Sequence, residues 1–223
     1  MPAFGLSGGY RNVKGFGSHI ECFIGHSLLR GYDDSDPSLN AEMNSGDNST
    51  AGSGLFAVLA ALHSRDQTGK GQLIEIAQAE NSTHLFPQSV MSFSLNRRVD
   101  STKGNHDLTG FDVNGLFQCR GNDRWIAVSV GSDDEWRGLC RAMGRSDLAG
   151  DERFASRDAR RLNAGAAEAI VAEWCAGKDR FAVMYRLQAE GVPAGPVMDA
   201  ADGLESPQLW ARGFWVRVHH EYT

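Results

Sequence analysis

The segment Asn44-Ser-Gly-Asp-Asn-Ser-Thr-Ala-Gly-Ser-Gly54 runs directly into the apolar segment Leu55-Phe-Ala-Val-Leu-Ala-Ala-Leu62. A polar loop with glycines followed by an apolar run predicts the start of a helix, with Asp47 at the junction. The first backbone N–H groups of a helix have no intrahelical partner and carry partial positive charge, so they can hold an anion or an acyl oxyanion. Residues 47–50 are all types favoured at a helix N-cap, so a plain cap is the alternative interpretation.

The helix that begins after Asp47 has a broad apolar face, which predicts deep burial. The residues on this face are Leu55, Phe56, Val58, Leu59 and Leu62. Gly69 and Gly71 are expected to end the helix. The alternating pattern in Gln72-Leu-Ile-Glu-Ile-Ala77 then predicts a β-strand.

The rest of the first half predicts two more helices. Residues 1–17 are rich in glycine and have neither a helix nor a strand pattern. Residues 20–29 have apolar side chains at helical spacing, which predicts a short helix. Residues 79–96 predict a second helix, with Pro87 as a kink or a break. Residues 97–114 are polar and irregular, so we place a linker between two lobes there.

The second lobe is predicted to begin with a β-hairpin. Residues 115–119 and 125–130 have strand patterns and are joined by a polar turn. Later segments predict helices over 133–143, 163–176, 179–189 and 202–210, a proline-interrupted edge segment over 192–197, and a strand-like pattern over 212–223.

Composition limits the class of protein. With 223 residues, 41% of them hydrophobic, the chain can build a core of one large or two modest domains. The cysteines stand far apart without a Cys-x-x-Cys pair, and the histidines include no His-x-x-x-His pair. These spacings argue against a disulfide framework and against a metal site.

Charge and hydropathy bear on partners and location. A net charge of −6 disfavours binding to nucleic acid. The longest apolar run, residues 55–62, is far shorter than the roughly 20 residues that a membrane helix needs. The N-terminus has no secretion signal, so we predict a cytoplasmic protein. A small anionic cofactor needs only a few local cations; Arg11 and Lys14 are the first candidates, with a solvated surface role as the alternative.

Together these segments resemble a known family. Asp47-Asn-Ser-Thr-Ala-Gly52 and the following residues 59–77 resemble the central signature of the family III CoA-transferases, of the formyl-CoA and carnitine CoA-transferase (CaiB/BaiF-like) type. In the second half, Gly104-Asn-His106 and Trp125-Ile-Ala-Val128 agree with this family, as do residues 191–197 and 207–215. The resemblance covers nearly the whole chain.

The resemblance implies an α/β fold and an assembly. Residues 1–100 would be part of a Rossmann-like large domain that binds CoA and carries the catalytic residue. Residues 101–223 would be the linker and a smaller α+β domain. Family members form interlocked dimers, so a homodimer is expected. Members are also longer, which implies that this sequence is a fragment without the N-terminal segment and the C-terminal end.

The resemblance also implies a reaction and its residues. Asp47 matches the catalytic aspartate, which would form an anhydride and then an aspartyl-CoA thioester while CoA passes from an acyl-CoA to a carboxylic acid. Lys14 matches a lysine that contacts CoA, and Arg11 and Phe16 are assigned to the same binding segment. CoA thioester is a substrate here, and no permanently bound cofactor is expected.

Other aromatic residues and one loop are candidates at the acyl site. Phe16, Phe111 and Trp136 are candidate walls of an acyl pocket, although aromatic residues at such positions also form core. Residues 107–112 lie where some family members have a glycine-rich loop, and they contain one glycine.

Two other functions stay open. One is an isomerase that resembles α-methylacyl-CoA racemase, which uses an acid/base pair on either side of an α-carbon. That group has a histidine where this chain has Phe16, so His19 or His26 would have to replace it. The other is a non-catalytic fragment that binds a partner chain through exposed apolar surface.

Overall fold

The computed structural model describes residues 1–32, 34–36, 38, 45–106 and 112–220. The chain divides into two compact units, Met1–Gly104 and Asn105–Thr223. The described part of the first unit is helical and irregular, whereas the second combines helices with a small antiparallel sheet, so the fold is mixed α/β. Among the described residues, every helix lacks the length or the apolar character needed to cross a membrane.

The first unit contains four α-helices in its described residues. They are α1 (Gly17–Phe23), α2 (Ser45–Thr68), α3 (Gln78–Ser82) and α4 (Pro87–Asn96), with 3-10 turns over His26–Leu29 and Thr83–Leu85. The helix predicted over 20–29 is divided at Gly25, whose φ of 82° is in the left-handed region. The break predicted at Pro87 is confirmed, because this residue begins α4, where its missing N–H is not needed.

Helix α2 begins at Ser45, so Asp47 lies in its first turn rather than before it. The prediction of deep burial for its apolar face is wrong, since Leu55 is 63% and Phe56 76% exposed. Gly46 and Thr50 are buried instead. The partly buried residues of this helix are all small: Ser45, Ser49, Ser53, Gly54, Ala57, Ala61 and Ser64. Small residues allow close helix packing, and the large side chains lie on a face that the described residues of this unit leave exposed.

Two predicted strands are not formed. Residues 72–77 contain no helix or strand, and neither do residues 212–220 of the second segment, whose last residues, 221–223, lie outside the described residues. A strand needs the backbone groups of a neighbouring strand, and no described residue supplies such a ladder to either segment. Directly after 71–77, the backbone N–H of Gln78 donates to the carbonyl of Pro2 over 3.0 Å, and that of Ala79 to the carbonyl of Ala3 over 3.0 Å.

The sheet of the second unit confirms the predicted hairpin. Strand β1 (Val113–Gln118) pairs antiparallel with β2 (Trp125–Val130), from Val113 opposite Val130 to Gln118 opposite Trp125. Strand β3 (Ala194–Pro196) pairs antiparallel with the other side of β2, as the proline-interrupted edge segment predicted.

Six α-helices are described around this sheet. They are α5 (Asp133–Met143), α6 (Arg157–Leu162), α7 (Ala164–Cys175), α8 (Arg180–Ala189), α9 (Ala200–Glu205) and α10 (Pro207–Ala211). Two helices, α9 and α10, replace the single helix predicted over 202–210, because Ser206 leaves the helical conformation and Pro207 begins α10. The core lies between the sheet, α5, α7 and α8, and Trp136 belongs to it, at 2% exposed.

Gly138 marks the closest approach in this core. A Cβ at this position would lie 2.3 Å from the carbonyl oxygen of Glu190 and 3.2 Å from Cγ2 of Val192. The first distance is impossible without movement of the backbone. Gly138→Ala is therefore expected to lower the free energy of unfolding by about 3 kcal/mol, the upper part of the overpacking range.

Chemical denaturation followed by circular dichroism measures this effect. Gly165→Ala is the matched control, because Gly165 also lies in a helix and a Cβ there would meet no atom within 4 Å. The control is expected to be neutral or slightly stabilising, since alanine favours a helix more than glycine does. Equal stability of both variants would contradict the close approach.

Candidate active site

Asp47 is exposed in the first turn of the 24-residue helix α2. Its Oδ1 accepts a hydrogen bond from Nε2 of Gln78 over 2.6 Å. Its Oδ2 accepts none from the described residues. The first turn also offers the backbone N–H groups and the partial positive charge of a helix N-terminus. A carboxylate placed in this way can attack an electrophile while N–H groups lie nearby.

A buried carboxylate from α1 fixes the start of α2. Glu21 is 1% exposed, and its Oε1 accepts from the backbone N–H and from Oγ of Ser45, over 2.9 and 2.8 Å. Its Oε2 accepts from Nη2 of Arg30 over 2.8 Å. Glu21 thus satisfies the first N–H of α2 as an N-cap side chain would, although it comes from another helix. This fixes the position of the turn that carries Asp47.

Helix α3 packs against the same turn. A Cβ at Gly46 would lie 3.0 Å from Oγ of Ser82, so the two helices approach closely there. Nδ2 of Asn81 donates to Oγ1 of Thr50 over 3.3 Å. With Gln78, these α3 residues have the i, i+3, i+4 spacing of one helical face. The start of α2 is therefore held by α1 on one side and α3 on the other.

Sequence reasoning missed both Glu21 and Gln78 as parts of this site. A signal for Glu21 was present, because an acid among Ile20, Phe23 and Ile24 interrupts an apolar helical stripe. The spacing of the polar residues in α3 is a weaker signal, since the pattern of residues 72–77 before it predicts a strand. Neither signal identifies the partner, which lies far away in the chain.

The residues assigned to CoA binding lie in the segment before α1. Arg11 and Lys14 are exposed, and Nη1 of Arg11 donates to the carbonyl of Gly8 over 3.2 Å. Phe16 is 80% exposed at the N-cap of α1. No hydrogen bond or ion pair joins any of these three residues to Asp47 in the described part of the chain. Their role in CoA binding stays a prediction.

The histidines that a racemase would need have other contacts. Nδ1 of His19 accepts a hydrogen bond from the backbone N–H of Phe16 over 3.2 Å. His26 stacks on Phe86, with ring centroids 5.3 Å apart and planes at 8°. Burial lowers the pKa of His26, with a further contribution from Arg30. No described hydrogen bond or ion pair joins either histidine to Asp47, and the isomerase alternative stays open because its acid and base would lie on opposite sides of a substrate carbon.

The described residues also bear on metal binding and on the cysteine thiols. Within the described ranges, no group of three or more His, Cys, Asp or Glu side chains could hold a metal ion. Burial raises the pKa of Cys140 to about 11 and that of Cys175 to about 12, so both thiols stay protonated at neutral pH. Residues 107–111, which include Phe111 and nearly all of the predicted acyl-site loop, lie outside the described residues.

Comparison with known proteins assigns the family. The sequence model of CoA-transferase family III matches residues 1–223. The chain therefore belongs to CoA-transferase family III. It is 30% identical over 221 residues to the succinyl-CoA–L-malate CoA-transferase beta subunit of Chloroflexus aurantiacus, covering 99% of this chain and 54% of that protein. It is 28% identical to the succinyl-CoA–D-citramalate CoA-transferase of the same organism, covering 98% of this chain and 54% of that protein.

A solved structure has the same fold. A CaiB/BaiF family protein from Brucella suis superposes with a TM-score of 0.83 at 28% identity, over 95% of this chain and 55% of that chain. The chain thus spans about half the length of the curated relatives and of the solved structure that it matches.

Proposed function

We propose that the protein carrying this chain transfers CoA from an acyl-CoA thioester to a carboxylic acid, with Asp47 as the nucleophile. The observation that carries the proposal is the Asp47 carboxylate, exposed in the first turn of α2 with one oxygen held by Gln78 and the other free of described partners. Membership in a family of CoA-transferases supports the same reaction. The CoA-binding role of Lys14, Arg11 and Phe16 belongs to the proposal.

The proposed reaction has four steps that balance without an external reagent. Oδ2 of Asp47 attacks the thioester carbonyl, the C–S bond breaks, and CoA leaves as a thiolate from an acyl-aspartyl anhydride. The thiolate attacks the aspartyl carbonyl, which releases the donor acid as a carboxylate and leaves an aspartyl-CoA thioester. The acceptor carboxylate attacks this thioester and forms a second anhydride. The thiolate then attacks the acceptor acyl group, giving the new acyl-CoA and restoring Asp47.

The geometry suits these steps. Each step passes through a tetrahedral oxyanion, and the N–H groups at the start of α2 are donors of the kind that stabilise such a charge. A carboxylate needs no general base before it attacks. Succinyl-CoA, with L-malate or D-citramalate as acceptor, is the first combination to test, because the two related C. aurantiacus enzymes are named for these compounds.

Trapping the activated aspartate tests the proposal. The protein, at the full length encoded by its gene, is mixed with succinyl-CoA and hydroxylamine, and its peptides are analysed by mass spectrometry. We expect a hydroxamate on Asp47 that depends on the acyl-CoA. Samples without acyl-CoA are the control. Turnover with an unlabelled Asp47, or with the label on another residue, would refute the role of Asp47 as the covalent nucleophile.

The isomerase alternative gives a different result in a parallel experiment. A racemase would exchange deuterium from solvent into the α-carbon of a 2-methylacyl-CoA with no carboxylic acid present, whereas the proposed transferase would not. Homodimeric assembly and a cytoplasmic location stay predictions, and sedimentation of the full-length protein measures the first.

A further inference from the structure

We propose that Gln78 is a positioning residue for the nucleophile: its amide holds Oδ1 of Asp47 so that Oδ2 is the oxygen that attacks. This inference rests on the proposed function. The amide Nε2 lies 2.6 Å from Oδ1, and among the described residues it is the only side chain that donates to this carboxylate. A hydrogen bond to a carboxylate is shorter and stronger than one between neutral groups. An amide donor carries no charge, so it orients the carboxylate without forming an ion pair with it.

Helix α3 fixes the position of this donor. The backbone N–H of Gln78 donates to the carbonyl of Pro2 over 3.0 Å, and its own carbonyl accepts from Oγ of Ser82 over 2.7 Å. The neighbours Ala77 and Ala79 are each 5% exposed. The amide therefore extends from a backbone that is anchored on both sides. A donor held in this way restricts the rotation of the Asp47 carboxylate before the substrate arrives.

The same contact has a role later in the cycle. When Oδ2 forms the bond to the acyl group, Oδ1 becomes the carbonyl oxygen of the anhydride and afterwards of the thioester. Attack of the thiolate or of the acceptor on the aspartyl carbonyl places negative charge on Oδ1. The Gln78 amide already lies at hydrogen-bond distance from this atom, so it can stabilise the charge as it forms. Formation and breakdown of the aspartyl intermediate should both depend on Gln78.

Gln78→Met removes the donor and nearly keeps the length of the side chain. We expect kcat to fall about 100-fold, the lower end of the range for loss of an oxyanion donor. KM for acyl-CoA should change little, because the amide acts on Asp47 and not on the bound substrate. The rate of hydroxylamine-trapped label on Asp47 should fall with kcat.

Asn81→Leu is the matched control in the same helix. Asn81 donates to Ser49 and Thr50 of α2 over 3.4 and 3.3 Å and does not contact the Asp47 carboxylate. Its replacement should weaken the contact between α2 and α3 without a comparable loss of kcat. If Gln78 only supported the packing of the two helices, both variants would lose stability and activity in the same proportion.

Gln78→Glu provides a readout that a packing role would not change. Two carboxylates would then share one site, and like charges at this distance favour the binding of a proton. At neutral pH the variant should be at least as impaired as Gln78→Met. At acidic pH a protonated carboxyl at position 78 can donate the missing hydrogen bond to Asp47. The activity of Gln78→Glu relative to Gln78→Met should therefore rise as the pH falls.

The outcomes separate the two proposals. If the wild-type protein is labelled on Asp47 and Gln78→Met has a normal kcat, the positioning role is overturned and the transferase mechanism stays intact. Wild-type turnover without label on Asp47 would overturn both. The positioning role is supported if Gln78→Met has a lower kcat and Asn81→Leu keeps most of its kcat. It also requires that the activity of Gln78→Glu, relative to Gln78→Met, rises at acidic pH.

Discussion

Asp47→Asn is expected to lower kcat for CoA transfer by a factor on the order of 10⁴ to 10⁶, the range seen when a covalent nucleophile is removed. An asparagine side chain is not a nucleophile toward a thioester, so the first bond cannot form. The amide oxygen can still accept the hydrogen bond from Gln78, and the two side chains have nearly the same size. The variant should therefore fold as the wild type does, which makes the kinetic loss interpretable.

The measurement is the rate of CoA transfer from succinyl-CoA to L-malate by the full-length protein, with thermal unfolding as the folding control. Asp66→Asn is the matched control, since Asp66 lies on the same helix and pairs with Arg65 at the surface, where the two side chains are 67% and 54% exposed. It should transfer CoA at the wild-type rate. Asp47→Ala excludes residual activity from deamidation of the new asparagine.

Each contrary result identifies another function. If both Asp47 variants transfer CoA normally, the carboxylate is not the nucleophile. If the Asp47 variants lose activity and the wild type exchanges deuterium into the α-carbon of a 2-methylacyl-CoA, the isomerase is favoured. If the wild type itself has neither activity, the scaffolding interpretation gains support.

Local signals in the sequence were sufficient for several elements. Helix α5 has the predicted limits, Asp133–Met143, because Ser132 caps its start and Gly144, with φ of 72°, ends it. The hairpin of β1 and β2 was predicted from strand patterns on either side of a polar turn. In such elements the residues that decide the structure lie within a few positions of one another.

The elements that were predicted wrongly depend on contacts with residues far away in the sequence. The apolar side chains of α2 have a clear helical pattern, but burial needs another surface, and no described residue of the first unit covers them. Residues 72–77 have a strand pattern, but a strand needs a neighbour in a sheet. At the site, a cap motif placed Asp47 at a helix N-terminus, while its hydrogen-bond partner, Gln78, is 31 positions away. Spacing in a single sequence carries no information about such a contact.

A large effect on stability is expected from Arg160 in the second unit. Its side chain is 1% exposed, and Nε and Nη2 donate to Oδ2 of Asp112 over 3.1 and 2.8 Å. Nη2 also donates to Oδ1 of Asp133 over 2.6 Å, and Nη1 to the carbonyl of Phe154 over 2.9 Å. The guanidinium lies 5.6 Å from the ring centroid of Trp136. One buried cation thus connects the start of β1, α5 and α6.

Arg160→Met keeps most of the apolar volume and removes the charge and its donors. Asp112, whose side chain is fully buried, then loses its main partner. Removal of one member of a buried ion pair costs about 3 to 5 kcal/mol, because the remaining charge is left without compensation. Arg157 and Arg161 reach Oδ1 of Asp112 over 3.2 and 3.5 Å, so the lower end of this range is expected.

Urea denaturation of Arg160→Met, Asp112→Asn and the double variant measures this network. The loss in the double variant should be smaller than the sum of the single losses, since the second substitution removes a charge that has already lost its partner. Arg137→Met is the exposed control: its pair with Asp134 has side chains that are 54% and 91% exposed, and such pairs contribute little. A loss in Arg160→Met as small as in this control would show that Arg157 and Arg161 are sufficient.

The stability difference should also depend on pH. The hydrogen bond from Arg160 is the largest influence on Asp133 and holds the pKa of this carboxyl below its ordinary value of 3.8. A carboxyl whose pKa is lower in the folded state stabilises the protein above its unfolded-state pKa, and this contribution disappears as the pH falls through the folded-state pKa. Wild type therefore loses this part of its stability on acidification below pH 3.8, whereas Arg160→Met has already lost it. The difference in unfolding free energy between wild type and Arg160→Met should therefore become smaller as the pH falls in this range. A constant difference would mean that Arg160 does not act on Asp133 in the folded protein.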